Sequence, residues 1–145
     1  LLIIQCHKLV HLPEEGLRGL ISLQSLHINF CDSLTSISVS RGMQHLTALQ
    51  KLEICNCPAF NWSDEDDGMQ VLTALRSLQS LHISVLPKLV SLPHGLQHLT
   101  TLQALDILHC DGLVNLPEWI GNLASLRSLH ISFCRKLESL PDAMR

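Results

Sequence analysis

Aromatic side chains are scarce in this 145-residue sequence: they make up 3% of it, and tyrosine is absent. A core of ordinary size must therefore be built from aliphatic residues, and 31 residues are leucine. Long apolar runs are missing as well, since none approaches the roughly 18 residues that a membrane-spanning helix needs. The apolar residues 1–4 are too few for the core of a secretory signal. The sequence predicts a chain with an aliphatic core and no membrane span.

Positive charge is not concentrated anywhere along the chain. The 10 Lys and Arg residues are outnumbered by 13 Asp and Glu residues, which gives a formal net charge of -3 with neutral histidines. A nucleic-acid-binding surface needs a basic patch that neutralises phosphates. We therefore expect no nucleic-acid partner and favour a protein.

Motifs of common catalytic sites are missing too. The sequence holds no G-x-S-x-G, no P-loop, no H-E-x-x-H and no Gly-rich nucleotide fingerprint. His109 stands beside Cys110, but we expect that cysteine to point into the core, away from the imidazole. The sequence predicts no enzyme, no metal site and no cofactor in this chain.

What the sequence does contain is one repeated pattern. If an opening leucine is position zero, apolar residues follow at positions 3 and 5, a Cys at 8, and apolar residues at 11 and 14 with Pro at 15 in most units. Such a period marks stacked units that cannot bury their apolar faces alone. We predict one domain over residues 1–145, a fragment of about five to six repeats that is incomplete at both ends. Its repeats start near Leu23, Leu49, Leu78, Leu102 and Leu126.

Positions 2 to 6 of each unit alternate polar and apolar residues, as residues 25–29 do. This alternation predicts a short strand with one buried face. Segments after the proline, such as residues 117–123, suit a 3₁₀ helix or a single helical turn. The pattern resembles a leucine-rich repeat, which implies an α/β solenoid curved like a horseshoe. In that fold a parallel sheet forms the concave face, and short 3₁₀ or irregular helical segments form the convex one.

The cysteines follow the repeat and not a disulfide pattern. A position that successive units share is a packing position, where a small thiol with a weak donor can sit. Cys55 lies two residues before Cys57 at a position that faces outward, so the two make a poor zinc chelate. We predict buried free thiols at position 8, which holds Cys6, Cys31, Cys57, Cys110 and Cys134.

Residues 61–68, with four consecutive acids before a glycine, interrupt the pattern. Their spacing does not match an EF-hand loop, because the alternating ligands and the closing Glu are missing. We interpret the segment as a solvated loop on the convex side. Asn61, Trp62 and Ser63 also match a glycosylation sequon, which matters only in a secreted protein.

Units that read L-x-x-L-x-I-x-x-C-x-x-L-x-x-L-P, as residues 126–141 do, resemble the leucine-rich-repeat domain of plant intracellular nucleotide-binding leucine-rich-repeat disease-resistance proteins. The resemblance implies a cytoplasmic recognition and autoinhibition module. Its partners would be a pathogen effector or a guarded host protein, together with the other domains of the parent receptor. ATP or ADP would bind only the nucleotide-binding domain of that receptor. The alternative is the substrate-receptor repeat of an F-box ubiquitin-ligase adaptor.

Functional residues are expected where the core needs none, at positions 4, 6 and 7 of the concave face. Phe30, Leu108 and Phe133 are apolar there, which suits partner anchors, although scattered exposed apolar residues are common. The candidate partner-binding residues are His27, Asn29, Phe30, Glu53, Asn56, His82, Val85, Asp106, Leu108, His109, His130 and Phe133.

Position 4 alternates histidine and acid from unit to unit. Neighbouring strands lie about 4.8 Å apart, so each carboxylate is expected between two histidines, and His82 between Glu53 and Asp106. This predicts a continuous ladder of ion pairs. Simple avoidance of like-charge repulsion between stacked strands accounts for the alternation equally well.

Overall fold

The computed structural model describes residues 1–37, 41–62 and 72–144. Within them six parallel strands form one sheet in chain order. Each unit contributes one strand at the predicted positions, which confirms the solenoid. The strands are β1 (Leu2–Ile4), β2 (Ser25–Asn29), β3 (Lys51–Cys55), β4 (Ser80–Ser84), β5 (Ala104–Leu108) and β6 (Ser128–Ser132).

Short helices lie between the strands, as the sequence predicts. Those given bounds within the described residues are the α-helix α1 (Glu14–Arg18) and the 3₁₀ helices Arg41–His45, His94–His98, Glu118–Asn122 and Asp142–Met144. Prolines precede three of them with φ between -70° and -68°. Proline holds φ near this value and lacks an N–H that would go unbonded in the first turn. In the units that carry it, the Leu-Pro pair therefore starts the helical side of the solenoid.

The strands keep one register although the units differ in length. Leu26 lies opposite Leu52, and Leu81 opposite Leu105, with the position-5 isoleucines paired in the same way. In β2 to β5 these side chains are at most 1% exposed, whereas Leu129 of β6 is half-buried. Burial of one such side chain contributes about 1.5–3 kcal/mol before its entropy cost. The core is therefore a continuous stack of Leu and Ile layers, completed wherever a unit has neighbours on both sides.

The cysteine at position 8 follows the strand, and its thiol bonds the carbonyl of the last strand residue. The thiol of Cys57 donates to the carbonyl of Cys55 at 3.1 Å, and Cys110 donates to Leu108 at 3.5 Å. Cys31, Cys57 and Cys110 are fully buried, and all six cysteines, each within the described ranges, are free thiols. The prediction of free packing cysteines is confirmed for these three, whereas Cys6 is exposed and Cys134 half-buried in the first and last units.

The residue at position 7, directly after each strand, has a left-handed backbone. Its φ lies between 50° and 57° in all six units, and none of the six residues is glycine. Its N–H still extends the sheet, as Val85 shows by donating to the carbonyl of Leu108 at 3.0 Å. Asn and His tolerate this backbone, but a β-branched or bulky residue is strained in it. The residues are Gln5, Phe30, Asn56, Val85, His109 and Phe133.

Trp62, near the start of the acidic segment, belongs to the core and not to a solvated loop. It is 1% exposed and packs edge-to-face on Phe60 with 5.9 Å between ring centroids. The interpretation of residues 61–68 as solvent-exposed is therefore wrong at Trp62, because its indole ring packs against another aromatic ring in the core, whereas Asn61 is exposed. The remaining residues of the segment, 63–68, lie outside the described residues.

Gly112 marks the tightest contact between two neighbouring units. A Cβ added there would lie 2.3 Å from the carbonyl oxygen of Pro87 and 3.0 Å from that of Leu89. Both atoms belong to the backbone of the preceding unit and cannot move independently of it. This position therefore has to stay without a side chain.

We predict that Gly112→Ala destabilises the protein by about 1–3 kcal/mol, because the methyl group forces two units apart. Gly19→Ala is the matched control, since a Cβ there meets nothing within 4 Å and its φ is -81°. Urea denaturation of both variants measures the difference. Equal midpoints for the two would contradict the close contact.

We also predict that Val85→Asn raises stability by about 1 kcal/mol, because asparagine relieves the strain of a left-handed β-branched residue. Asn56 already occupies the equivalent position with φ 50°. Val90→Asn is the control, because that valine is also exposed but has no positive φ. Thermal melts should show a higher midpoint for Val85→Asn alone; a rise of the same size in both would point to surface polarity instead.

Candidate functional site

The twelve candidate residues lie together on the exposed side of the sheet. Side chains at positions 4 and 6 leave the strands on the face opposite the buried leucines. The position-7 residues form a row along the strand ends, in which Phe30, Val85 and Phe133 are 46%, 40% and 69% exposed. The fold therefore groups the candidates on one surface, which we call the concave face and define as positions 2, 4, 6 and 7.

A cluster of four polar side chains spans β2 and β3 on this face. Ser25 Oγ lies 2.5 Å from His27 Nε2, and His27 Nδ1 lies 2.5 Å from Glu53 Oε2. Lys51 Nζ lies 2.7 Å from the other carboxylate oxygen, Oε1. The strand register explains the grouping, since Ser25 lies opposite Lys51 and His27 opposite Glu53. We call these four residues the β2–β3 polar cluster.

The surroundings of the Glu53 carboxylate change its pKa. Partial burial is the strongest single influence and raises its pKa. The hydrogen bonds and charges of Lys51 and His27 together outweigh burial, so the net pKa lies below the ordinary value of 4.5. Glu53 therefore stays ionised in the folded protein at neutral pH.

The predicted ladder of alternating charges is not continuous. His82 pairs with Asp106, with 3.4 Å between Nδ1 and Oδ2. Glu53 is turned towards His27 and Lys51, so the prediction that His82 lies between two bonded acids is wrong. The Cα atoms of Glu53 and His82 are neighbours across β3 and β4, as expected. The Glu53 carboxylate, however, also binds Lys51 on its own strand. The row therefore consists of two separate histidine–carboxylate contacts.

The row at position 7 combines apolar and polar contacts. His109 and Phe133 stack with ring centroids 4.5 Å apart and planes 3° from parallel. Asn56 Nδ2 donates to Asn29 Oδ1 at 2.9 Å across β2 and β3. Neighbouring units thus hold each other's exposed side chains in place, which lowers the entropy lost when a partner orders them.

Sequence reasoning missed several residues of this face. Ser25 and Lys51 occupy position 2, which the period-two rule places on the same side as position 4. Leu2 and Ile4 of β1 lie in register with His27 and Asn29 and are 66% and 47% exposed. Extending the strand rule to position 2 and to the first unit would have found all four.

Cys55 on this face and Cys57 in the core beneath it are poorly nucleophilic. Burial, helped by the Glu53 charge, raises the pKa of Cys55 to about 11, and burial likewise raises that of Cys57 to about 11. Across the described ranges no three His, Cys, Asp or Glu side chains are grouped to hold a metal ion. Nor does any helix in the described part of the chain have the length and apolar character to cross a membrane.

The Glu53 interactions predict a pH dependence of stability. Because the folded-state pKa is below 4.5, the stabilisation is fully present above that value and is lost as pH falls through the folded-state value. We expect its size to stay within about 1 kcal/mol, since the partners are partly exposed. Urea denaturation from pH 6 to pH 3 should show a shallower decline for Glu53→Gln than for wild type. Glu138→Gln, at an exposed site, should follow wild type, and identical curves for all three proteins would refute the assignment.

The chain is similar to a known repeat family and to solved structures. Residues 1–139 match the family described as a leucine-rich repeat region. The leucine-rich repeat domain of the type III effector XopL is 22% identical with a TM-score of 0.73, covering 99% of this chain and 55% of its own. The internalin InlF of Listeria monocytogenes is 16% identical with a TM-score of 0.29, covering 86% and 55%.

Among curated proteins no sequence matches this chain. The chain spans about half the length of the solved structures that it matches. At 22% identity the likeness to XopL concerns the fold alone, but the family match covers nearly all residues. The chain belongs to the leucine-rich repeat family.

Proposed function

We propose that the concave face is the protein-binding surface of this leucine-rich repeat module. The observation that supports it is the row of exposed Phe30, Val85 and Phe133 beside half-buried charged side chains. Apolar anchors within a polar surround are typical of energetically important interface residues. A rigid sheet holds these side chains at fixed spacings, so a partner would lose little entropy to their ordering.

We infer further that the module acts in a plant intracellular nucleotide-binding leucine-rich-repeat immune receptor. The support is the combination of Leu-Pro, isoleucine at position 5 and cysteine at position 8, which is typical of those receptors. There the module senses an effector or a guarded host protein and restrains the receptor's other domains. Six free thiols fit a reducing compartment, so we propose a cytoplasmic location.

Alanine at Phe30, Leu108 and Phe133 together tests the proposed surface in the full-length gene product. Expression in leaf tissue, with cell death as the readout, should show either loss of the triggered response or constitutive cell death. Either result follows if these side chains contact the ligand or the restrained domains, and truncation of important anchors weakens binding about tenfold or more.

Alanine at Val10, Val90 and Leu140 is the matched control, since these side chains are also 44–54% exposed but lie outside the strands. The control protein should behave like wild type at equal abundance. Wild-type behaviour of the concave-face variant would rule out the proposed surface. A response limited to constitutive cell death would assign the face to restraint and not to ligand sensing.

A further inference from the structure

Ser25, His27 and Glu53 are connected by hydrogen bonds in the order of a nucleophile, a base and an orienting acid. Ser25 Oγ meets Nε2 of the imidazole, and Glu53 meets Nδ1, each at 2.5 Å. We propose that Ser25 is an activated nucleophile and that the β2–β3 polar cluster is an acyl-transfer site for small carboxylic esters. Such a site is recognised by its geometry and by the roles of its members, on any fold.

The hydrogen bonds select one tautomer of the neutral imidazole. An ionised carboxylate can only accept a hydrogen bond, so His27 donates from Nδ1 to Glu53. When the imidazole is neutral, Nε2 carries the lone pair and accepts the hydroxyl hydrogen of Ser25. This is the tautomer in which a histidine can remove the proton from an attacking serine.

The sheet holds the members of the cluster in place. Ser25 and His27 are two residues apart on β2, so both side chains leave the same face, and Glu53 lies directly opposite on β3. The His27 and Glu53 side chains keep only 26% and 27% of their exposure, which limits their motion and their contact with water. Lys51 Nζ binds the second carboxylate oxygen of Glu53 and so helps to hold the carboxylate in place.

The reaction balances with an ester and water alone. Ser25 Oγ bonds to the ester carbonyl carbon while its proton moves to His27 Nε2, giving a tetrahedral oxyanion. The oxyanion collapses, the bond to the alcohol oxygen breaks, and the departing alkoxide takes the proton from Nε2. Water then attacks the acyl group on Ser25 with the same proton transfers, releasing a carboxylic acid and restoring the serine.

The serine and histidine of the proposed site recur in two other units, which allows their reactivity to be compared. Ser-Leu-His-Ile occurs at residues 25–28, 80–83 and 128–131. In the second copy His82 is 3.4 Å from Asp106, a longer contact than in the first. In the third copy His130 is exposed, and no carboxylate among the described residues bonds to it. Reactivity should therefore fall in the order Ser25, Ser80, Ser128.

Covalent labelling of the intact chain with a fluorophosphonate, followed by peptide mass spectrometry, tests this order. We expect phosphonylation of Ser25 at least tenfold faster than of Ser128, and at least a tenfold loss of Ser25 labelling in His27→Ala. Ser128→Ala is the control and should leave Ser25 labelling unchanged. Equal labelling of Ser25 and Ser128, or labelling that survives His27→Ala, would overturn the proposal.

Hydrolysis of p-nitrophenyl acetate tests turnover. Ser25→Ala should lower the rate at least tenfold relative to Ser128→Ala, with unchanged thermal midpoints. Glu53 is a positioning residue, and its role predicts a downfield His27 Nδ1–H resonance in the proton NMR spectrum that disappears in Glu53→Gln. Rates that are equal in the two serine variants would refute acyl transfer by Ser25.

Discussion

Burial of leucine and isoleucine between stacked units is the interaction on which this structure depends. No unit has a core of its own, and the position-3 and position-5 side chains are covered only when strands lie on both sides, as in β2 to β5. Because the stack requires equal spacing, every strand adopts one register. All side chains of one position therefore form a row across the sheet. The concave face follows from this packing, since its residues are the alternate ones that the core does not use.

Backbone strain at the strand ends is offset by other contacts of the stack. The left-handed residue at position 7 is strained when it is Val85 or a phenylalanine, yet it recurs in every unit. It turns the chain so that the following residue enters the core; that residue is Leu86 after Val85 and a cysteine in the other units, and the thiols of Cys57 and Cys110 bond the last strand carbonyl. Burial of the cysteine and continuation of the sheet offset the strain. The same turn exposes the position-7 side chain. One backbone conformation therefore produces both the strain and the exposed apolar side chains.

The spacing of Leu, Ile and Cys was sufficient to predict the strands, their order and their register, because an aliphatic core leaves few other arrangements. The spacing could not predict which side chains would contact each other. Glu53 lies in register with a histidine on each neighbouring strand. That it binds His27 and Lys51 depends on side-chain geometry, which the repeat spacing does not specify. Trp62 was predicted to be exposed because acidic residues follow it in the sequence. In the structure it is buried and packs on Phe60. No sequence motif reveals the β2–β3 polar cluster, because its members come from two units; His27 and Glu53, for example, are 26 residues apart.

The interval from Leu49 to Leu78 is longer than the 24 residues that separate the later units, and the register of β3 against β4 is nevertheless the same as elsewhere. A longer interval between two strands thus leaves the sheet register unchanged. A lineage can lengthen or shorten that interval and keep the strand positions that carry the concave face. Conversely, it can exchange the exposed side chains of that face without disturbing the core. Recognition and architecture can therefore evolve independently within one short repeat.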